Sequence, residues 1–333
     1  MSTSRITIQD VARRAGVAKS TVSQVLNGRP PTVPISEATR QRVRQAATDL
    51  DYRPSFSART LANGRTHTIG LQCGNIGSSY YGELATLVMR EAEAHGYHLA
   101  IQVTPWKNAQ NDLDCLEVLL QRGVEGVLFF GSALQPGVPM YERLVKSRFP
   151  IVLLNEQSTG LPWVTSDYAS GMEQAVAHLR QAGLDRIGYL KSAGMIGHVD
   201  AKELAFAATC RRHRVKTEII TAVPQMDTCR RAGREFAGRA DRPRAVIANS
   251  DQAATGFIRG LRDGGLDVPR DCRVAGIDGT LAGEFLCPQL STIAHDHDGI
   301  VKHAMHGLIQ MIEGKSPPQN RLFPTRFVIR ESA

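Results

Sequence analysis

The sequence predicts an N-terminal all-α headpiece with a helix-turn-helix, followed by an α/β body of two doubly wound parallel-sheet subdomains. Three observations carry that expectation. Residues 7–27, TIQDVARRAGVAKSTVSQVLN, show two short helical faces separated by a glycine. From Thr68 onward, short apolar runs alternate with longer amphipathic segments. Charge is unevenly placed: residues 1–65 hold 11 Lys or Arg against four Asp or Glu, leaving 29 basic and 28 acidic residues for the rest. A basic head on a nearly neutral body is the footprint of a module that grips a polyanion.

In the head, Ile8, Val11, Ala12 and Ala15 fall at i, i+3, i+4 and i+7, one apolar helix face. Thr7 precedes that run as an N-cap whose hydroxyl can take an orphan backbone N–H. Gly16 interrupts the pattern where a tight turn between helices needs it. Val22, Val25 and Leu26 form the second face, and Asn27-Gly28 supplies a stop. Lys19, Ser20, Thr21, Ser23 and Gln24 are left on the polar side, suited to base edges and phosphates in a DNA major groove. Ser36 with Glu37 opens a third helix, whose Val43, Ala46, Ala47 and Leu50 close a small core. The connection between the last two helices, GRPPTVPI at 28–35, is rich in proline.

Tyr52-Arg53-Pro54 ends the head, expected at residues 1–53. Residues 55–63 (SFSARTLAN) have helical composition, with Gly64 as a C-cap, but are too short and polar to hold a helix alone. The linker is therefore set at 54–67. In the body, the runs at 69–73, 99–103, 126–130 and 151–155 predict one series of strands; those at 187–190, 218–221, 245–249 and 274–278 predict a second. Repeated strand–helix units imply parallel sheets, and ligands in such folds sit outside the carboxyl ends of strands.

Composition excludes several classes. A chain of 333 residues exceeds one ordinary core, and 42% hydrophobic residues with 6% aromatics suit a soluble α/β protein. No apolar run approaches the roughly 20 residues of a membrane span, and the N-terminus lacks a signal-peptide core. A cytoplasmic protein with no membrane partner is expected. The six cysteines (73, 115, 210, 229, 272, 287) form no CxxC pair and read as buried small residues in a reducing compartment. HDHD at 295–298, with His303 and His306, has no reinforcing cysteine or carboxylate spacing, so no metal is expected. GNIGSSYYG at 74–82 is not a dinucleotide fingerprint, so no cofactor is expected. With neither GxSxG nor a paired-carboxylate constellation present, an enzyme is not expected either.

The run at 7–27, followed by TRQRVRQAATDLDYRPS, closely resembles the start of the LacI family (lactose and galactose repressors) of bacterial transcription regulators. The likeness continues through LSTIAHDHDGIVKHAMHGLIQMIEGKSPP to FPTRFVIRES. It implies a periplasmic-binding-protein-like body over 68–333. Its N-subdomain would take about 68–164 and 293–322, its C-subdomain about 165–292 and 323–333, with crossings near 165, 292 and 323. It implies a homodimer on double-stranded operator DNA arranged as an inverted repeat. Lys19, Ser20 and Gln24 would read bases, while Arg5, Thr7, Thr21, Asn27 and Tyr52 hold phosphates. Gln24 stands where relatives often carry arginine, which predicts a shifted half-site. Leu61 matches the leucine that wedges into the minor groove from a hinge helix formed on the operator; a flexible linker whose leucine merely packs is the plainer reading.

The same resemblance nominates effector contacts: Tyr80, Tyr81, Asn155, Asp167, Lys202, Ser250, Asp278 and His297. Lys202 replaces a usual arginine and Ser250 a usual asparagine, so the forked donor and the amide are both altered. Carboxylates that accept hydroxyl protons, aromatic faces and a lysine able to pair with a carboxylate suit a sugar or sugar acid. Asp251 reads equally as a helix cap or a ligand residue, and Tyr80 or Tyr81 as lobe core. The leading expectation is a ligand-controlled repressor. A solute receptor or sugar-acting enzyme on the same body is the alternative, and it leaves the basic head without a purpose.

Overall fold

A computed structural model describes residues 6–27, 34–52, 64–104, 109–131, 133–192, 200–223 and 225–333. The chain divides into two compact units, Met1–Thr66 and His67–Ala333.

Among the described residues, the first unit holds three helices, α1 (Ile8–Ala15), α2 (Lys19–Asn27) and α3 (Glu37–Asp49). Gly16 ends α1 in the left-handed region (φ 64°), where a side chain would be strained, and turns the chain toward α2. Ser36 caps α3 by accepting from the Thr39 backbone N–H at 3.3 Å. Val11, Val22 and Val43, one from each helix, are fully buried together. At about 1.5–3 kcal/mol for each such side chain, these contacts hold a domain too small for a larger core. Thr7 caps α1 in a capping box with Asp10, the third helical residue: its backbone N–H and its hydroxyl both donate to the Asp10 carboxylate, at 2.9 and 2.7 Å. Those bonds hold the Asp10 carboxyl below its ordinary value.

The second unit contains two six-stranded sheets. The first lobe comprises β1 (Thr68–Cys73), α4 (Ser79–Ala94), β2 (His98–Val103), α5 (Ala109–Gln121), β3 (Gly126–Phe130), α6 (Pro139–Ser147), β4 (Ile151–Leu154) and β5 (Trp163–Asp167). The second comprises α7 (Tyr168–Gln181), β6 (Arg186–Ser192), α8 (Ala201–Arg212), β7 (Lys216–Ala222), α9 (Met226–Ala237), β8 (Ala245–Ala248), α10 (Asp251–Asp263), β9 (Arg273–Asp278) and β10 (Ser291–Ala294). The chain then returns through α11 (His297–Ile312) and β11 (Arg321–Pro324) to the first lobe, and ends with β12 (Arg326–Val328) in the second. Sheet order is β11-β5-β4-β3-β1-β2 and β12-β10-β9-β8-β6-β7. All pairings are parallel except β12 against β10.

Central strands such as GVLFF and AVIA are buried on both faces, as a parallel sheet covered by helices requires. Helix α11 fills the first lobe, adding Ile300, Val301, Met305 and Leu308 to its core. The crossings lie at the ends of β5, β10 and β11. The positions near 165, 292 and 323 fall inside those strands, each of which stays in its sheet until its ladder ends. Thr325, between β11 and β12, ties two crossings together: its hydroxyl donates to the Asp167 carbonyl at 2.7 Å and accepts from Gly171 N–H at 3.0 Å.

All six cysteines are free. Cys73, Cys210, Cys229 and Cys272 are buried as expected, whereas Cys115 is partly exposed and Cys287 exposed. Among the described residues, no helix is long and apolar enough to cross a membrane.

Candidate effector site and nucleic-acid interface

The carboxyl ends of the second lobe's strands bring charge into the cleft. β9 ends at Asp278, a buried residue with φ 145°. Its Oδ1 accepts from Lys202 Nζ of α8 at 3.3 Å, and its Oδ2 from the Asp251 backbone N–H at 3.3 Å. Lys202 also donates to the Asn249 carbonyl at 2.9 Å and stands 5.6 Å from the Tyr168 ring centre. Burial opposes charge on both partners, but their attraction prevails: Asp278 is held below the usual carboxylate value and Lys202 above the usual amine value. The site therefore carries a closed ion pair.

Asp251 stands behind that pair as a brace. Its carboxylate accepts from Thr280 N–H (2.8 Å), Thr280 Oγ1 (2.9 Å) and Thr292 Oγ1 (2.5 Å). Burial and the neighbouring Asp278 push its carboxyl up to about 6. Gly276 makes the close approach possible, since a Cβ there would lie 2.2 Å from Asp251 Oδ1. Of the two readings of Asp251, the structure shows a third: Ser250 is the cap of α10, and Asp251 locks β9 and β10 to that helix.

The first lobe contributes rings. Tyr80 and Tyr81, in the first turn of α4, meet edge-on with centroids 4.9 Å apart. Phe130 at the end of β3 packs edge-on against both, and His297 against Tyr80 at 5.3 Å. Asn155, just past β4 with φ 65°, accepts at Oδ1 from Tyr168 OH (2.5 Å) and Thr165 Oγ1 (3.3 Å). Burial raises the Tyr168 phenol to about 12, so it remains a donor. The cavity between Tyr80, Phe130, Asn155, Ser166 and His297 is no larger than a water molecule.

His295 spans the two lobes. Its Nδ1 lies 2.6 Å from Ser166 Oγ on β5, and its Nε2 is 3.8 Å from Asp278 Oδ1 on β9, too far for a hydrogen bond. The rings of His295 and His297 stack at 5.4 Å. Burial lowers both imidazoles, His297 to about 4, so they are neutral near pH 7. Among the described residues, His295 Nε2, His297 Nε2 and Asn249 Oδ1 are buried without a hydrogen-bond partner. Such atoms are costly to leave unpaired, and a bound polar molecule would satisfy them. No group of three His, Cys, Asp or Glu among the described residues is placed to hold a metal ion.

Of the eight residues nominated from sequence, Tyr80, Asn155, Lys202, Asp278 and His297 line or join this constellation, with Tyr81 packed beside Tyr80. Ser250 and Asp167 spend their side chains elsewhere, on helix ends: Ser250 accepts from Ala253 N–H at 3.1 Å, Asp167 from Ala169 N–H at 3.0 Å. Sequence reasoning did not nominate Tyr168, Asn249, Ser166, Phe130 or His295. His295 had been weighed only as part of a metal cluster, and Asn249 stood unnoticed at the end of the AVIAN run.

On the head, α2 exposes Lys19 and Ser20, while Thr21 and Gln24 are half-buried beside them. Thr7 is tied to Asp10 as described, and Tyr52 packs against the head core. Asn27 closes α2. Arg5 and Leu61 lie outside the described residues.

Comparison with known proteins joins the two halves. The bacterial regulatory proteins of the lacI family match residues 7–55, and the periplasmic binding protein-like domain matches residues 176–333. The chain is 30% identical over 335 residues to catabolite control protein A of Priestia megaterium, covering 98% of this chain and 99% of that protein. It is 27% identical over 328 residues to the ribose operon repressor of Halalkalibacterium halodurans, covering 98% and 96%. A crystal structure of the lac repressor dimer bound to operator and the anti-inducer ONPF matches with a TM-score of 0.85 over 99% of both chains, at 22% identity, a likeness of fold. The chain belongs to the lacI family of bacterial regulatory proteins and is a ligand-responsive, DNA-binding regulator of transcription.

Proposed function

We propose that the protein is a cytoplasmic homodimeric repressor of carbohydrate or sugar-acid genes, holding a pseudo-palindromic operator and answering to an effector in the interlobe cleft. The observation that carries the effector half is the set of unpartnered buried atoms, His295 Nε2, His297 Nε2 and Asn249 Oδ1, around the Lys202–Asp278 pair. Tyr80, Tyr81, Asn155, Lys202, Asp278 and His297 form the contact set; Asp167 and Ser250 support it from helix ends. Two relatives bear on the rest: one is named for repressing a ribose operon, and the lac repressor dimer is seen on its operator.

For the DNA half, Lys19, Ser20 and Gln24 read base edges, and Arg5, Thr7, Thr21, Asn27 and Tyr52 hold phosphates. Leu61 is the minor-groove wedge. Effector binding changes the lobe angle, moves the hinge segments and shifts operator affinity. The test is binding to a promoter fragment across salt concentrations, without and with each sugar of a thermal-shift panel. Affinity falls steeply as salt rises, because phosphate contacts release counterions. A flat salt response removes the DNA-binding assignment, and an operator affinity that ignores every stabilising sugar removes the effector assignment.

A further inference from the structure

We propose that the cleft selects an uncharged polyhydroxylated ligand, a neutral sugar or polyol, over the carboxylate form of the same skeleton, because its lysine is already neutralised by Asp278. The inference rests on the effector reading above and narrows it. From sequence alone, Lys202 is a natural partner for an acidic ligand. The structure commits it elsewhere: two of its three donors go to Asn249 O at 2.9 Å and Asp278 Oδ1 at 3.3 Å. The neighbouring lysine on β6, Lys191, is paired with Glu203 at 2.7 Å.

A carboxylate ligand would face two arrangements, both unfavourable. It could draw Lys202 away, leaving Asp278 buried and uncompensated beside Asp251. Otherwise it would add a third negative group to a site already holding two carboxyls and one ammonium, where little water screens them. Hydroxyl groups meet neither obstacle. Asn249 Oδ1 can only accept, and each imidazole Nε2 donates or accepts according to its tautomer. A hydroxyl both donates and accepts, so the hydroxyls of such a ligand suit each kind of atom without a change of charge. The rings of Tyr80, Phe130 and His297 offer the apolar wall that the C–H face of a sugar needs.

The test is calorimetric titration of the full-length protein with matched pairs: D-galactose and D-galacturonate, D-glucose and D-gluconate, D-ribose and D-ribonate. At least one neutral member is expected to bind, and its acid to bind at least roughly tenfold more weakly, the factor of one pK unit of unfavourable charge interaction. Asp278→Asn keeps the side-chain shape but releases the Lys202 charge, and should raise the acid-to-neutral affinity ratio at least tenfold. An acid that binds the unaltered protein as tightly as its neutral partner overturns the proposal. So does a panel in which no neutral member binds, or a variant that keeps the original ratio. An acid that binds well and shifts operator affinity sinks this inference while sparing the regulatory reading; a neutral sugar that binds without affecting the operator does the reverse.

Discussion

The two walls of the cleft are built by different chemistry. The second lobe supplies formal charge and its buttress: Lys202 and Asp278 in contact, Asp251 pinned behind by Thr280 and Thr292. The first lobe supplies rings and neutral polar atoms: Tyr80, Tyr81, Phe130, Asn155 and His297. The lesson is one of division of labour. An ion pair in low dielectric is intolerant of losing either partner, so under the proposed function it would hold ligand orientation on one lobe. Ring packing is tolerant and depends on area, so under the proposed function it would grade how firmly the other lobe holds a ligand. His295 joins the walls, bonded to Ser166 on one side and facing Asp278 on the other.

Asp278→Ala has the largest expected effect. Removing the carboxylate strands the Lys202 ammonium in a site where its side chain is 17% exposed, and should cost about 3–5 kcal/mol of body stability. Operator binding by the folded protein should persist while the effector response disappears. Thermal melts and promoter-fragment titrations with and without the stabilising sugar check both halves. A variant that melts normally and still responds would place the pocket elsewhere.

An intermediate effect is expected at His297. Its folded-state value near 4 lies below the ordinary 6.5, so the unfolded chain binds more protons between those values. Its contribution to stability is present above about pH 6.5 and is lost as pH falls toward 4, about 2 kcal/mol of it between pH 7.5 and 5. His297→Phe should remove that loss while Asp251, whose raised carboxyl has the opposite slope, stays the same in both proteins. Urea midpoints at the two pH values report the difference; identical slopes in the two proteins would contradict a buried neutral imidazole.

The smallest effect sharpens the ring wall. Tyr80→Leu retains apolar bulk but loses the edge-on geometry with Tyr81, Phe130 and His297, worth about 0.5–1.5 kcal/mol for each aromatic pair beyond area. Effector affinity should weaken modestly with operator binding unchanged. A loss as large as that of Asp278→Ala would mean the walls do not divide their roles as described.

Much of this architecture was legible in the chain. Gly16 and Ser36 mark helix ends by backbone chemistry that tertiary packing does not override. The eight apolar runs all became strands: the central ones because buried parallel sheet needs continuous apolar residues, while the runs in β2 and β7 form exposed sheet edges. β5, β10, β11 and β12 were not read as strands: they are short, carry polar residues such as Thr165 and Ser166, and exist because the crossings place them at sheet edges or between lobes. At the site, Lys202 and Asp278 were each nominated singly, but their union joins residues far apart in sequence and changes what Lys202 can do. Spacing alone also hid Tyr168, next to the capping Asp167, and in HDHD it argued against a metal without showing that His295 bonds Ser166 across the lobes.

Linkage between cleft occupancy and grip on DNA is tested most directly by measuring sugar affinity for the full-length protein free and saturated with operator, alongside operator affinity without and with sugar. The same factor is expected in both directions, of order 5–150-fold, as linkage demands of coupled sites. Sugar binding of unaltered strength on the operator-bound protein, with operator affinity equally indifferent to sugar, would contradict it.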